Sequence, residues 1–90
     1  MIEDVVEIVN RLGLHARAAA RLVKLAGTFK SDVTLESNER CVTADAKSIL
    51  SVLTLAASYN TSLVLRVNGE DEQIAFDEIT NLFENGFGEL

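Results

Sequence analysis

The sequence has no proline and no tryptophan, and only one histidine, one cysteine and one tyrosine among its 90 residues. A lone thiol, Cys41, cannot close an intramolecular disulfide. One Cys and one His cannot supply a tetrahedral metal site, so no metal is expected. Unpaired cysteine fits a reducing compartment. With few aromatics, the core has to be built from aliphatic side chains. No apolar run approaches the ~20 residues of a membrane-spanning helix. The opening MIEDVVEIV is acidic and alternating, without the basic start and long apolar stretch of a signal peptide. The chain therefore reads as cytoplasmic, with no membrane insertion.

Positive charge is scarce overall and concentrated where it occurs. The net charge of −6 argues against non-specific binding to nucleic acid or to an anionic membrane. Between Glu7 and Asp32 there is no acid, yet Arg11, Arg17, Arg21, Lys24 and Lys30 fall there, five of the eight basic residues. A cationic segment on an acidic protein points to a small anion or an acidic partner surface rather than a polyanion. The competing reading is a solvated basic helix face.

Ninety residues allow one domain, spanning 1–90, with one thin core. Val5, Val6, Ile8 and Val9 give a strand over about 2–9. NRLGLH is a loop in which Gly13 can take a conformation other residues avoid. Residues 16–26 are strong helix formers, with Ala19, Leu22, Val23 and Ala26 on one face and Gly27 as the stop. SDVTLES and RCVT alternate as two strands of a hairpin around Asn38–Glu39. Asp45 reads as the cap of a helix over about 46–57, with Ile49, Leu50, Leu53 and Ala57 as its apolar stripe. TSLVLRVNG is the fourth strand. Glu70, Asp71 and Glu72 open a last helix that Gly86 ends. The order β-α-β-β-α-β-α describes an α+β domain, its helices on one side of an antiparallel sheet.

The chemistry lies in GLHARAAARL, residues 13–22. A histidine at a helix start is commonly a solvated or capping residue. Here, however, unpaired N–H groups of Ala16, Arg17 and Ala18 would face an anion held beside His15. A neutral imidazole has the ordinary pKa nearest neutrality, about 6.5, and can attack phosphorus without a separate base. Arg17 brings a planar fork that matches phosphoryl oxygens. Its charge is unfavourable at a helix N-terminus, which hints at another role. A nucleophilic nitrogen, a helix end and a guanidinium are the parts phosphoryl transfer needs.

IVNRLGLHARAAARL, DAKSILSVLTLAA and the closing NLFENGFGE together resemble the histidine-containing phosphocarrier (HPr) family of the bacterial phosphoenolpyruvate:sugar phosphotransferase system. The resemblance runs through essentially the whole chain. It implies an open-faced β-sandwich, a four-stranded antiparallel sheet covered on one face by three helices. It further implies that His15 takes a phosphoryl group on its δ1 nitrogen from Enzyme I and passes it to enzyme IIA components, with Arg17 neutralising the phosphate and no cofactor on the carrier. Ser48 falls where many members carry a serine phosphorylated by an HPr kinase/phosphorylase. Ile49, Leu50 and Leu53 match the family's apolar docking patch, with some in the core and one or two exposed. Arg21 and Lys24 would steer partners. The carrier is expected to be a monomer and not itself an enzyme.

Three departures stand out. Ala18 replaces the family's usual proline, which implies altered local rigidity or phosphate affinity rather than lost function. Ser51 replaces a frequent glycine, and the segment between His15 and Ser48 is slightly long. Two further readings belong to the same residues: a binding module acting through phosphorylated Ser48, and a carrier serving nitrogen regulation. A nucleic-acid binder would need a stacking platform the strands lack. An autonomous enzyme would need a substrate pocket, metal-carboxylate cluster or nucleophilic triad, and none is evident.

Overall fold

A computed structural model describes residues 1–90. The strands are β1 (Ile2–Glu7), β2 (Asp32–Ser37), β3 (Val42–Asp45) and β4 (Ser62–Asn68), and the helices α1 (Ala16–Ala26), α2 (Ile49–Leu53) and α3 (Glu72–Glu84), followed by a 3₁₀ turn, Gly86–Gly88. The sheet order is β1-β4-β2-β3, antiparallel throughout. The expected β-α-β-β-α-β-α order is therefore present, as is the four-stranded sheet with three helices.

Alternation decides which face the helices cover. Val6, Val33, Leu35, Ala44, Leu63, Leu65 and Val67 point inward and are buried. They meet Ala18, Ala19, Leu22 and Ala26 of α1, and Ala75, Ile79 and Phe83 of α3. On the other face Arg66 pairs with Glu3 of β1 and with Glu36 of β2, a charged rung across three strands. Gly13, in the loop after β1, has φ +70°, and a Cβ there would lie 2.6 Å from the Ala57 carbonyl oxygen. Only glycine fits this approach, which brings the His15 loop against the segment after α2.

Three boundaries differ from the sequence reading. The β2–β3 hairpin turns over Asn38–Cys41, not two residues, because Ser37 Oγ accepts from the Arg40 N–H at 3.2 Å and Cys41 takes φ +55°. The return strand starts at Val42 in consequence. The second helix is Ile49–Leu53 rather than 46–57, and Asp45 is not its cap. Ala46 N–H donates to the Val33 carbonyl at 2.9 Å, and the Asp45 carboxylate takes the Lys47 N–H at 2.9 Å, so these residues belong to the sheet and a turn. Ser48 caps the helix instead. Past Leu53 the bonds tighten to three-residue steps, and Ala56 at φ +46° ends the turn. Gly27 does end α1, but in the right-handed region at φ −66°, without the left-handed step a terminal glycine often supplies.

Candidate functional site

His15 occupies the N-cap of α1 in an extended conformation, and its ring makes no capping bond. The side chain is free to turn toward the C-terminal segment. There, Nε2 lies 2.6 Å from Glu89 Oε2. The same oxygen accepts from Arg17 Nη2 at 2.9 Å and Nε at 3.1 Å. Asn10 Nδ2 completes the cluster, donating to Glu89 Oε1 at 2.9 Å and to the Gly13 carbonyl at 2.8 Å. Three side chains, Asn10, His15 and Arg17, thus converge on one carboxylate, only 11% exposed.

These donors hold the Glu89 carboxyl down to about 2. The Asn10 hydrogen bond is the largest cause, with His15 and Arg17 adding to it against a desolvation cost. Above that pH Glu89 has no proton to give. The hydrogen between Glu89 and His15 must therefore sit on Nε2, and a neutral ring keeps its lone pair on Nδ1. The hydrogen-bond partner assigns the tautomer.

How Glu89 reaches this position follows from packing. Phe87 is buried with its ring 4.9 Å from that of Phe83 at 62°, an edge-on contact that pins the C-terminal turn to α3. The Phe87 carbonyl accepts a hydrogen bond from Arg21 Nη1, tying the turn to α1. Gly88, at φ +78°, leaves room for that guanidinium: a Cβ would stand 3.1 Å from Arg21 Nη1. Glu89 then falls across the start of α1. Nothing in the local sequence foretold this, because Glu89 is 74 positions from His15. Asn10, although only five residues upstream, looked like an ordinary loop residue.

The other predicted residues divide. Ala16 and Arg17 are exposed at the helix start, and Ala18 faces the core; the N–H groups of all three donate to no backbone acceptor. Arg17 is in the cluster, while Arg21 and Lys24 are exposed farther along α1. Ile49, Leu50 and Leu53 are 39%, 76% and 38% exposed. All three face outward, more than the one or two expected, whereas Val52, Leu55 and Ala57 enter the core. The short helix leaves room for only one buried turn. Ser48 is half-buried, its Oγ accepting from the Ser51 N–H at 3.3 Å. Ser51 adds a staple of its own, its Oγ accepting from the Asp45 N–H at 2.9 Å. Arg11, which the motif had not singled out, joins Leu12, Arg17, Glu89 and Leu90 around a depression of about 420 Å³ beside the cluster.

Comparison with known proteins identifies the family and the fold. A family model described as "PTS HPr component phosphorylation site" matches residues 2–85. The chain is 47% identical over 89 residues to the phosphocarrier protein HPr of Cupriavidus necator, covering 99% of this chain and 98% of that one. It is 44% identical over 84 residues to the phosphocarrier protein NPr of Proteus mirabilis, covering 93% and 92%. Among solved structures, an HPr from Thermoanaerobacter tengcongensis superposes with TM-score 0.93 at 37% identity, over 100% of this chain and 99% of that one. A dimeric HPr from the same organism matches at TM-score 0.74 and 38% identity, over 99% and 100%. No helix is long and apolar enough to cross a membrane.

Proposed function

Since the chain belongs to the HPr family, the phosphocarriers of the phosphotransferase system, we propose that His15 carries the phosphoryl group on Nδ1. The observation that carries this reading is the Nε2–H···Glu89 hydrogen bond, which leaves Nδ1 as the nitrogen with a free lone pair. Nδ1 attacks the phosphorus of phosphorylated Enzyme I. The new N–P bond forms as the donor's bond to phosphorus breaks, and the donor nitrogen keeps the electron pair. Transfer to an enzyme IIA component repeats the exchange in the other direction.

Arg17 and the N–H groups of Ala16, Arg17 and Ala18 neutralise the arriving charge. In the resting carrier Glu89 holds Arg17 and His15 in register. A phosphoryl group brings more negative charge than one carboxylate, so it takes Arg17 over and releases Glu89. Ile49, Leu50 and Leu53 form the dry centre of the docking surface, and Arg21 and Lys24 steer acidic partners toward it. Residues 1–90 act as one phosphocarrier unit in the cytoplasm, without a cofactor. The chain is a substrate of Enzyme I rather than an enzyme. It works as a monomer, because Glu3, Asp4 and Glu7 along the free edge of β1 would repel a second copy.

The test is the position of the phosphate. Long-range ¹H–¹⁵N spectra of the phosphorylated protein should place it on Nδ1; a phosphate on Nε2 would overturn the tautomer argument.

Ser48 supports a second, compatible reading as a site for an HPr kinase/phosphorylase. Its Oγ sits at the cap of α2 beside Ile49 and Leu50. A phosphate there would place negative charge at the edge of the apolar surface and disfavour acidic Enzyme I. If Ser48→Ala is labelled by the kinase as well as wild type, this site is wrong. A carrier for nitrogen regulation uses the same His15 chemistry and differs only in the Enzyme I and IIA components that exchange phosphate with it.

A further inference from the structure

The two ends of the chain build a surface of one charge. The strand Ile2–Glu7 and the helix Glu72–Glu84 contain Glu3, Asp4, Glu7, Glu72, Asp77, Glu78 and Glu84, and no Lys or Arg. These segments pack together as β1 and α3. β1 is an edge strand, paired only with β4. Just past its end, Ile8 N–H donates to the Thr61 carbonyl at 2.9 Å, and the Ile8 carbonyl accepts from Asn60 N–H at 2.8 Å. By the alternation of an antiparallel ladder, Glu3, Val5 and Glu7 turn their N–H and C=O groups to the unpaired side. In agreement, the Val5 N–H is satisfied locally, by Asp4 Oδ1 at 2.7 Å.

A groove of about 320 Å³ follows this edge, lined by Val5, Val6, Val9 and Phe83 among others, with Glu7, Ser62, Thr80 and Glu84 as its polar members. That volume is in the range of ligand sites. The Thr80 hydroxyl oxygen is inaccessible and has no hydrogen-bond partner, although a helical threonine can bond its own preceding turn. Glu7 and Glu84 are exposed and take part in no ion pair. An unpaired strand edge, an apolar groove and two free carboxylates specify complementary chemistry.

We infer that this edge docks an extended segment of a partner protein in which basic residues alternate with aliphatic ones. The segment pairs its backbone with Glu3, Val5 and Glu7, sets an aliphatic side chain into the groove and lays its cations against Glu7 and Glu84. The Asp4–Val5 bond opens to admit it. A second copy of β1 would bring Glu3, Asp4 and Glu7 against the same acids, so the occupant is a basic strand. This surface is separate from His15.

The probe is a blocked pentapeptide of alternating valine and lysine, titrated into the ¹⁵N-labelled full chain. Saturable shifts at Glu3, Val5, Glu7, Ser62, Thr80 and Glu84, with slowed amide exchange at Glu3 and Glu7, are expected. Glu7→Gln with Glu84→Gln, both at exposed positions, should weaken binding about tenfold while leaving phosphorylation of His15 unchanged. Shifts confined to the His15 and Ile49 surface, or no saturation, would overturn the proposal. Equal binding by the double variant, or by a peptide with glutamate in place of lysine, would do the same. If butylamine alone produced the same shifts with the same affinity, the groove would be a simple amine site and strand docking would be wrong.

Discussion

Glu89 shows how one side chain can set the chemistry of another. Its charge fixes the hydrogen on His15 Nε2, and its grip on Arg17 keeps the guanidinium beside the ring. In the unphosphorylated carrier the Glu89 side-chain carbon should titrate with a midpoint of about 2, the value its partners impose. Phosphorylating His15 draws Arg17 away, so the midpoint should rise, while the Asn10 bond keeps it below an ordinary glutamate; ¹³C NMR of both forms checks it. An unchanged midpoint would mean that Glu89 and the phosphoryl group do not compete. Arg17 is 59% exposed and contributes little to folding. Arg17→Ala should slow phosphoryl transfer by roughly 10–100-fold with the melting temperature nearly unchanged, as expected for a group that stabilises charge during transfer.

The elements differ in how openly the sequence declares them. α1 was legible because alanines and leucines at helical spacing run unbroken from a clear loop to Gly27. α2 was not: its apolar residues continue past Leu53, and Asp45 imitates a cap. Only the tie from Ala46 to Val33, set by tertiary pairing, moves the helix start to Ile49. Ser48→Ala should therefore cost about 1 kcal/mol of stability, seen as a lower urea midpoint, whereas Asp45→Ala should not uncap the helix. A second latch joins α3 to the α1–β2 turn. The Asp71 carboxylate accepts from Ser31 Oγ and from the Ser31 and Lys30 N–H groups at 2.9 and 2.8 Å. The Ser31 hydroxyl bond is the main cause that lowers Asp71 to about 2, with Lys30 next. A carboxyl depressed on folding stabilises above its unfolded pKa and loses that contribution as pH falls through the folded value. Stability from Asp71 should thus be complete above about pH 4 and fade toward pH 2, and Asp71→Asn should flatten this part of the pH–stability curve measured by urea denaturation.

Across the whole molecule, charge and apolar surface are sorted. The exposed cations lie on α1, which packs against α2 with its exposed Ile49, Leu50 and Leu53, while β1 and α3 carry acids and no cation. Transfer from Enzyme I should accordingly slow as ionic strength rises, through the association rate, and neutralising Arg21 and Lys24 should reduce that dependence. The layout of sheet and helices was readable in the alternation of β1, β2 and β4 and in the order of the elements. The motif HAR gave the proposed nucleophile, His15, and Arg17, the cation that shares Glu89 with it. What remained hidden was the closure of the site, because Asn10, His15 and Glu89 meet only after Phe87 docks against Phe83 and draws the C-terminal turn over α1. Distance along the chain erases such a signal. The most direct test is intact mass spectrometry of the wild type and His15→Ala, each incubated with Enzyme I and phosphoenolpyruvate. A single acid-labile phosphoryl increment on the wild type alone is the predicted result; an adduct that persists in His15→Ala, or none on either protein, would contradict the assignment of His15 as the carrier.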